Sequence, residues 1–242
     1  MSATVIDVEN LLFRWSAGGD PCLDIPHFEV EAGERIFVHG PSGSGKSTLL
    51  GLLGGVLVPE RGSLRLLGDD LTTLDAAARD RFRADHVGFI FQQFNLIPYL
   101  SVIDNVLLPC RFSAQRKARA VVAGLTLHDE AARLLSHLDL DTALYQRQAL
   151  QLSVGQQQRV AAARALIGQP EIVIADEPTS ALDAERQIAF LDLLSKECEA
   201  AGSTLLFVSH DRRLAQKFSR EIALPSINRV GKAAGSKGTV VA

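Results

Sequence analysis

The nonapeptide "GPSGSGKST", Gly40 to Thr48, restricts this chain more than any other stretch. Glycine, four residues, then glycine-lysine-serine is the spacing of a phosphate-binding loop, provided a strand precedes it and a helix follows. Both neighbours are legible. "RIFV" (Arg35–Val38) is a short apolar run before the loop, and Leu49, Leu52, Leu53 and Val56 fall on one helical face after it. The glycines let successive backbone N–H groups turn inward around an anion where a side chain would block approach. The following helix adds the positive end of its dipole. Lys46 supplies a mobile cation for terminal phosphates, and the Ser47 hydroxyl is a ligand for a hard cation such as Mg²⁺.

Three further runs, "VGFIF" (Val87–Phe91), "IVIA" (Ile172–Ala175) and "TLLFV" (Thr204–Val208), are apolar without alternation. Such runs suit parallel strands covered on both faces by helices, so the expected class is α/β with a parallel sheet. The first forty residues alternate more, as in "VIDVENLLFRW" and "HFEVEAG", and predict an antiparallel β subdomain at the N-terminus. Strand signals vanish from about residue 100 to 166. There "SVIDNVLL", "DEAARLLSHL" and "GQQQRVAAARALI" read as an inserted α-helical subdomain, with Leu134, Leu135 and Leu138 facing its core. Residues 1–230 form one expected domain, and the small polar stretch from 231 to 242 a flexible tail.

Each strand runs into polar residues. "IVIA" meets Asp176 and Glu177, a pair costly at a buried strand end unless a cation is present, and otherwise a solvated acidic turn. "VGFIF" ends at Gln92 and "TLLFV" at Ser209-His210. Taken singly, Gln92 and His210 are ordinary polar ends of strands; together with Lys46 and Asp176 they mark one site, since ligands of open α/β sheets sit at the carboxyl ends of the strands.

With these motifs in hand, the chain resembles the ATP-binding cassette (ABC) ATPases from about residue 4 to 224. The likeness rests on "GPSGSGKST", the glutamine in "FIFQQFNLIP", "LSVGQQQRVAAARAL", "IVIADEPTSALD" and "FVSHD", in that order. It implies a P-loop NTPase core, ATP and Mg²⁺ as cofactors, and ATP hydrolysis. It assigns ATP contacts to Gly40, Pro41, Ser42, Gly43, Ser44, Gly45, Lys46, Ser47 and Thr48, and magnesium ligation to Ser47, Gln92 and Asp176. Glu177 becomes the catalytic base and His210 the γ-phosphate contact, with Lys46 and Gln92 completing the catalytic set. Trp15 falls where the family stacks an aromatic on adenine, though a tryptophan in an alternating strand also suits a core. Ser153, Gly155 and Gln156 belong to the signature segment, which in the family reaches the nucleotide held by a second copy through a helix opening after Gly155. Asp183 matches a loop touching that copy. The resemblance thus implies a head-to-tail homodimer. Val154 departs from it, standing where the family has glycine. Either its backbone angles are ordinary and valine is tolerated, or it weakens closure.

The wording is most similar to the lipoprotein-release and macrolide-export (LolD/MacB-like) branch, whose ATPases drive FtsX-like permeases. That implies a transmembrane permease as partner, a cytoplasmic position at the inner face of the membrane, and contact with the membrane only through the permease. An FtsE-like recruiting role and a soluble cassette acting on ribosomes or DNA are the alternatives. The net charge of −3 argues against a nucleic-acid partner. Phe94, Leu96, Ile97 and Tyr99 are expected to form an exposed docking patch. "RKAR" (Arg116–Arg119) reads as a solvated helix face or as a patch for anionic headgroups. Cys22, Cys110 and Cys198 lie far apart and fit reduced thiols.

Overall fold

The computed structural model describes residues 3–121 and 125–230; the expected tail from 231 onward lies outside the described residues. Strands β1 (Thr4–Phe13), β2 (Leu23–Glu31), β3 (Arg35–His39), β4 (Arg61–Leu66), β5 (Asp69–Asp70), β6 (Val87–Ile90), β7 (Ile172–Asp176), β8 (Thr204–Val208) and β9 (Arg220–Ala223) form two sheets. One is antiparallel, in the order β2-β1-β4-β5; the other is parallel, in the order β6-β7-β8-β3-β9. The helices are α1 (Lys46–Leu53), α2 (Ala76–His86), α3 (Val102–Phe112), α4 (Ala114–Ala120), α5 (Leu127–His137), α6 (Val154–Leu166), α7 (Ala184–Ala201) and α8 (Leu224–Ile227).

The central parallel strands are apolar on both faces because two cores meet across them. Phe37, Val173, Ala175, Leu205 and Phe207 point to the core shared with α3, α5, α6 and α7. Their neighbours Ile36, Val38, Ile172, Ile174, Leu206 and Val208 point to the core shared with α1 and the antiparallel sheet. Period-two alternation therefore persists although both sides are buried. Leu134, Leu135 and Leu138 are buried in the first of these cores.

Register aligns the carboxyl ends. Phe37 pairs with Phe207, Val208 with Asp176, and Ala175 with Ile90. The loops leaving β3, β6, β7 and β8 thus emerge on one edge of the sheet.

Local chemistry sets the helix boundaries. Ser101 caps α3 and Thr126 forms a capping box with Asp129 on α5. Helix α1 stops at Leu53 because Gly54 and Gly55 follow, the latter with φ +66°. Val56 is therefore beyond the helix and 64% exposed, contrary to the expectation that it shares the buried face.

Three strands have weak sequence signals. Strands β4 and β5 extend the antiparallel sheet past the first forty residues, and β9 is a four-residue edge strand carrying Arg220 and Glu221. Helix α6 begins at Val154, two residues earlier than the start after Gly155 that was expected. Among the described residues no helix is long and apolar enough to cross a membrane.

Candidate functional site

The loop between β3 and α1 wraps Lys46. Its Nζ donates to the carbonyls of Gly40 (2.8 Å) and Pro41 (3.1 Å), and the side chain is buried. A charge in that setting belongs where an anion will meet it. Gly45 has φ +99°, and a Cβ there would lie 2.7 Å from Leu23, so neither the backbone angle nor the space admits a side chain. No acidic residue occupies the first turn of α1, which leaves the positive end of the helix unopposed. The Ser44 hydroxyl is buried and has no hydrogen-bond partner, an orphan donor suited to a phosphate oxygen.

A cleft of about 400 Å³ opens over this loop. It is lined by Trp15 and Cys22, by Ser42, Gly43, Gly45, Lys46, Ser47 and Thr48 of the loop and its helix, and by Gln92, Glu177 and His210. Gly40, Pro41 and Ser44 lie in the loop without lining the cleft. Trp15 stands just past the end of β1, 67% exposed, with its ring edge-on to Phe13 at 5.2 Å. It is not a core residue, and its free face borders the cleft.

Glu177 follows β7 in the left-handed region, with φ +46°. This is an unfavourable angle for a non-glycine residue, and it is retained here by the Glu177 N–H donating to the Val208 carbonyl at 3.0 Å. The twist brings Glu177 Oε1 to 2.6 Å from His210 Nε2, so the two face each other across adjacent strand ends. Asp176 lies on the sheet edge next to the phosphate loop, where Ser47 Oγ donates to its Oδ2 at 3.5 Å. Burial pushes the Asp176 carboxyl above the ordinary carboxylate value, while Ser47, Lys46 and His210 pull the other way. A hydroxyl oxygen beside a half-buried carboxylate matches the preference of a hard divalent cation.

The signature residues are elsewhere. Ser153 caps α6, accepting from Gln156 N, while Gln156 Oε1 accepts from Ser153 N at 2.9 Å. Helix geometry leaves the N–H groups of Val154 and Gly155 without partners inside the helix. Val154 is the first helical residue, about half exposed, and absent from the positive-φ positions, so its angles are ordinary for valine. These residues line a separate cavity of about 500 Å³ with Leu182 and Arg186. Asp183 caps α7 by accepting from Arg186 N at 3.0 Å. The chain thus carries a phosphate-loop face and a signature face that do not meet.

Two expectations are corrected. Phe94 is buried in the core, with Leu96 packed against it. The backbone at Phe94 and Asn95 turns left-handed (φ +59° and +49°) and swings the ring inward, leaving Tyr99 as the exposed aromatic of that segment. Arg116 is buried and donates to the carbonyls of Ile167 (2.8 Å) and Ala165, while Arg119 pairs with Glu171. Arg116 and Arg119 therefore tie α4 to the end of α6 and the start of β7, and of the basic residues in the run only Lys117 is exposed. The three cysteines are free thiols, Cys110 and Cys198 buried and Cys22 partly so.

Sequence reasoning missed Asn228. Its side chain is buried behind the phosphate loop. Oδ1 accepts from Asp24 N (2.9 Å) and Val230 N (3.1 Å), and Nδ2 donates to the carbonyls of Cys22 (3.1 Å) and Ser44 (3.5 Å). Pro225, from the same short helix α8, packs against the loop at Gly40. No local pattern marks an asparagine whose partners lie about two hundred positions earlier.

Known proteins similar to this chain identify its family. The ABC transporter family profile matches residues 23–180. The lipoprotein-releasing system ATP-binding protein LolD of Syntrophotalea carbinolica is 37% identical over 91% of this chain and 94% of its own length. The macrolide export ATP-binding/permease protein MacB 2 of Aeromonas hydrophila is 38% identical over the whole chain, which spans only 36% of that relative. Among solved structures, the dimeric, post-hydrolysis ATP-binding cassette MJ0796 bound to ADP and Pi superposes with a TM-score of 0.79 at 34% identity, covering 90% of this chain and 93% of that one. The chain is a member of the ABC transporter family of ATP-binding ATPases.

Proposed function

We propose that this chain is the ATP-hydrolysing subunit of a LolD/MacB-type transporter, working as a head-to-tail homodimer on a separate permease of the FtsX-like kind. The observation that carries this reading is the division of the molecule into two faces. Lys46, Ser47, Gln92, Glu177 and His210 surround one cleft, whereas Ser153, Gly155 and Gln156 open onto another. A second copy, turned head to tail, supplies what each cleft lacks.

In this arrangement Lys46, the loop amides and the Ser44 hydroxyl neutralise and orient the phosphates, and Trp15 offers its free face to the base. Glu177 accepts the proton of the attacking water, and His210, already against Glu177, orients the γ-phosphate beside it. Ser47 and Asp176, with Gln92 nearby, would hold Mg²⁺, which when bound supplies charge stabilisation for the transferring phosphoryl group. The partner's Ser153 hydroxyl and its Val154 and Gly155 amides add donors from the opposite side.

The permease would dock in a cavity of about 700 Å³ between the parallel-sheet core and the helices α2 and α3, a cavity that also reaches Ser47 and Asp176 of the nucleotide site. Val56, Phe91 and Phe112 are exposed there, and Phe112 is 78% accessible. This site replaces the Phe94-centred patch. It is apolar, concave and open, as helix-in-groove recognition requires. The MacB relative, an ATP-binding/permease protein by name, carries about two thirds of its length outside the part this chain matches.

The test is a Glu177→Gln variant purified with ATP and magnesium. A stable dimer by light scattering, lost on changing Ser153 to Ala or on removing ATP, is the expected outcome. A strict monomer at saturating ATP would refute the two-face mechanism.

A further inference from the structure

Two buried amides near the signature segment have incomplete hydrogen bonding. Gln187, near the start of α7, is 9% exposed, and its Nε2 donates to the Thr179 carbonyl at 3.1 Å. That contact fixes which end of the amide is nitrogen, so the buried Oε1 is an acceptor without a donor. Gln158 of α6 is 1% exposed, and its buried Nε2 is a donor without an acceptor. Such groups destabilise a fold unless some state of the molecule pairs them. The two glutamines lie on neighbouring elements. Helix α6 leads into β7 and α7 into β8, which are adjacent parallel strands, so the helices run in one direction and pack against each other. Ala161 and Ala162 of α6 share one core with Phe190 and Leu191 of α7. At 1.5 Å per residue, Gln158 stands about 7 Å along α6 from its cap Ser153, and Gln187 about 6 Å along α7 from its cap Asp183. Nearer their starts the two helices meet: a Cβ on Gly155 would lie 3.8 Å from Leu182 Cδ2. Gly155 and Gln158, three residues apart, share a face of α6. An orphan donor and an orphan acceptor thus stand at matching depth on adjoining helices, and they are not bonded to each other.

We propose that Gln158 and Gln187 are positioning residues for hydrolysis: when the signature segment engages a nucleotide, Gln158 Nε2 donates to Gln187 Oε1 and joins the signature helix to the loop that follows Glu177. The inference rests on the head-to-tail reading above and names a contact through which it acts inside one chain. The Glu177 side of the link is already built. The Thr179 carbonyl held by Gln187 also accepts from Leu182 N at 3.1 Å, and the Glu177 carbonyl accepts from Ser180 N at 3.2 Å. The segment from Glu177 to Asp183 is thus a pair of linked turns with Gln187 as their buried brace. Glu177 itself holds φ +46°, an angle that its surroundings have to maintain. The signature side is a short reach. Gln158 lies less than two turns beyond Ser153, so a displacement of the cap toward a phosphate carries Gln158 with it. At the far end of α6, Arg164 donates to the carbonyls of Phe94 (2.6 Å) and Asn95 (2.7 Å), so the helix is attached there too. Pairing the orphans adds, in each copy, a hydrogen bond that the free chain does not have, and this favours the nucleotide-bound dimer. Each copy's signature, seizing the other's nucleotide, thereby steadies its own Glu177.

The experiment compares the full chain carrying Glu177→Gln with the same protein carrying Gln158→Met in addition, an unbranched apolar replacement that fills the same space. Melting without nucleotide is read by differential scanning fluorimetry, and monomer affinity for a fluorescent ATP analogue by titration at low protein concentration. The dimer dissociation constant is read by sedimentation at saturating ATP and magnesium. Gln158→Met removes an orphan donor from the free chain, so melting should hold or rise. Monomer affinity for the analogue should stay within about twofold of the parent's. Two links are lost per dimer, so the dimer dissociation constant should rise at least about tenfold, equivalent to about 1.4 kcal/mol. In a Gln187→Met background the same change should move that constant by less than about twofold, because the acceptor is already gone. A lower melting temperature for nucleotide-free Gln158→Met protein would show that the donor is satisfied before closure. A dimer constant equal to the parent's would show that no bond forms on closure. Either result overturns the inference and leaves the two-face reading intact, whereas failure of the Glu177→Gln parent to dimerise would overturn both.

Discussion

Replacing Asn228 by alanine tests whether the end of the chain sets the phosphate loop. The side chain makes four hydrogen bonds, to Asp24 N, Val230 N and the carbonyls of Cys22 and Ser44. Val230 is exposed and recovers a bond from water, and the contact to Ser44 is long at 3.5 Å. That leaves the partners on Asp24 and Cys22 as the groups stranded by truncation. At about 1–1.5 kcal/mol for each of two, the loss is about 2–3 kcal/mol. For a chain of this size, at about 2–4 °C per kcal/mol, melting should fall by about 5–10 °C. The Cys22 segment that borders the cleft also loses its donor. Weakening of about 1 kcal/mol there raises the dissociation constant for a fluorescent ATP analogue about fivefold. Differential scanning fluorimetry without nucleotide gives the first quantity and a titration gives the second. Asn228→Asp, which keeps the acceptor and removes the donor, should fall between. Melting within about 2 °C of the native chain would show that water replaces the side chain and that the clamp is passive.

Two further changes probe other parts of the molecule. Val154→Gly should alter ATPase turnover less than about tenfold, because Val154 already has helical angles and glycine costs only about 0.5–1 kcal/mol at such a position; steady-state phosphate release measures it, and a larger change in either direction would show that the valine sets closure. Glu171→Gln should destabilise the chain at pH 7 by about 1–2 kcal/mol, discounted from the full pKa shift because the carboxyl is about a third exposed. Burial works to raise the Glu171 pKa, but hydrogen bonds from His86 and Arg119 prevail and hold it at about 2. A depressed carboxyl contributes fully above its unfolded value of 4.5, and the contribution fades as pH falls toward 2. The difference between variant and native chain in urea melts should therefore shrink across that window, and a constant difference would refute the assignment.

The parallel strands were legible because burial on both sides leaves an unbroken apolar run, as in "IVIA" and "TLLFV". Parallel register carries the four carboxyl ends to the same edge, where Lys46, Gln92, Glu177 and His210 line one cleft while Asp176 lines the neighbouring cavity with Ser47. Strand β9 was not legible, because "REIA" sits at an edge and half of it is charged. Phe94 misled for a backbone reason. Nothing in "FQQFNLIP" announces two successive left-handed residues, Phe94 and Asn95. Arg116 misled for a chemical one, since a run of four residues with three positive charges resembles a wetted face unless the carbonyls that receive it are known. Asn228 required the tertiary structure itself.

Helix α6 has thirteen residues, a rod about 20 Å long at 1.5 Å per residue. Ser153 stands at one end, and Arg164, near the other, grips the segment behind Gln92. Because such a rod is stiff, its ends cannot move independently: a tilt of about 10° pivoting at Ser153 displaces the grip by about 3 Å. The geometry makes a seesaw of the signature segment, in which whatever seizes the serine tip also tells the glutamine where to stand.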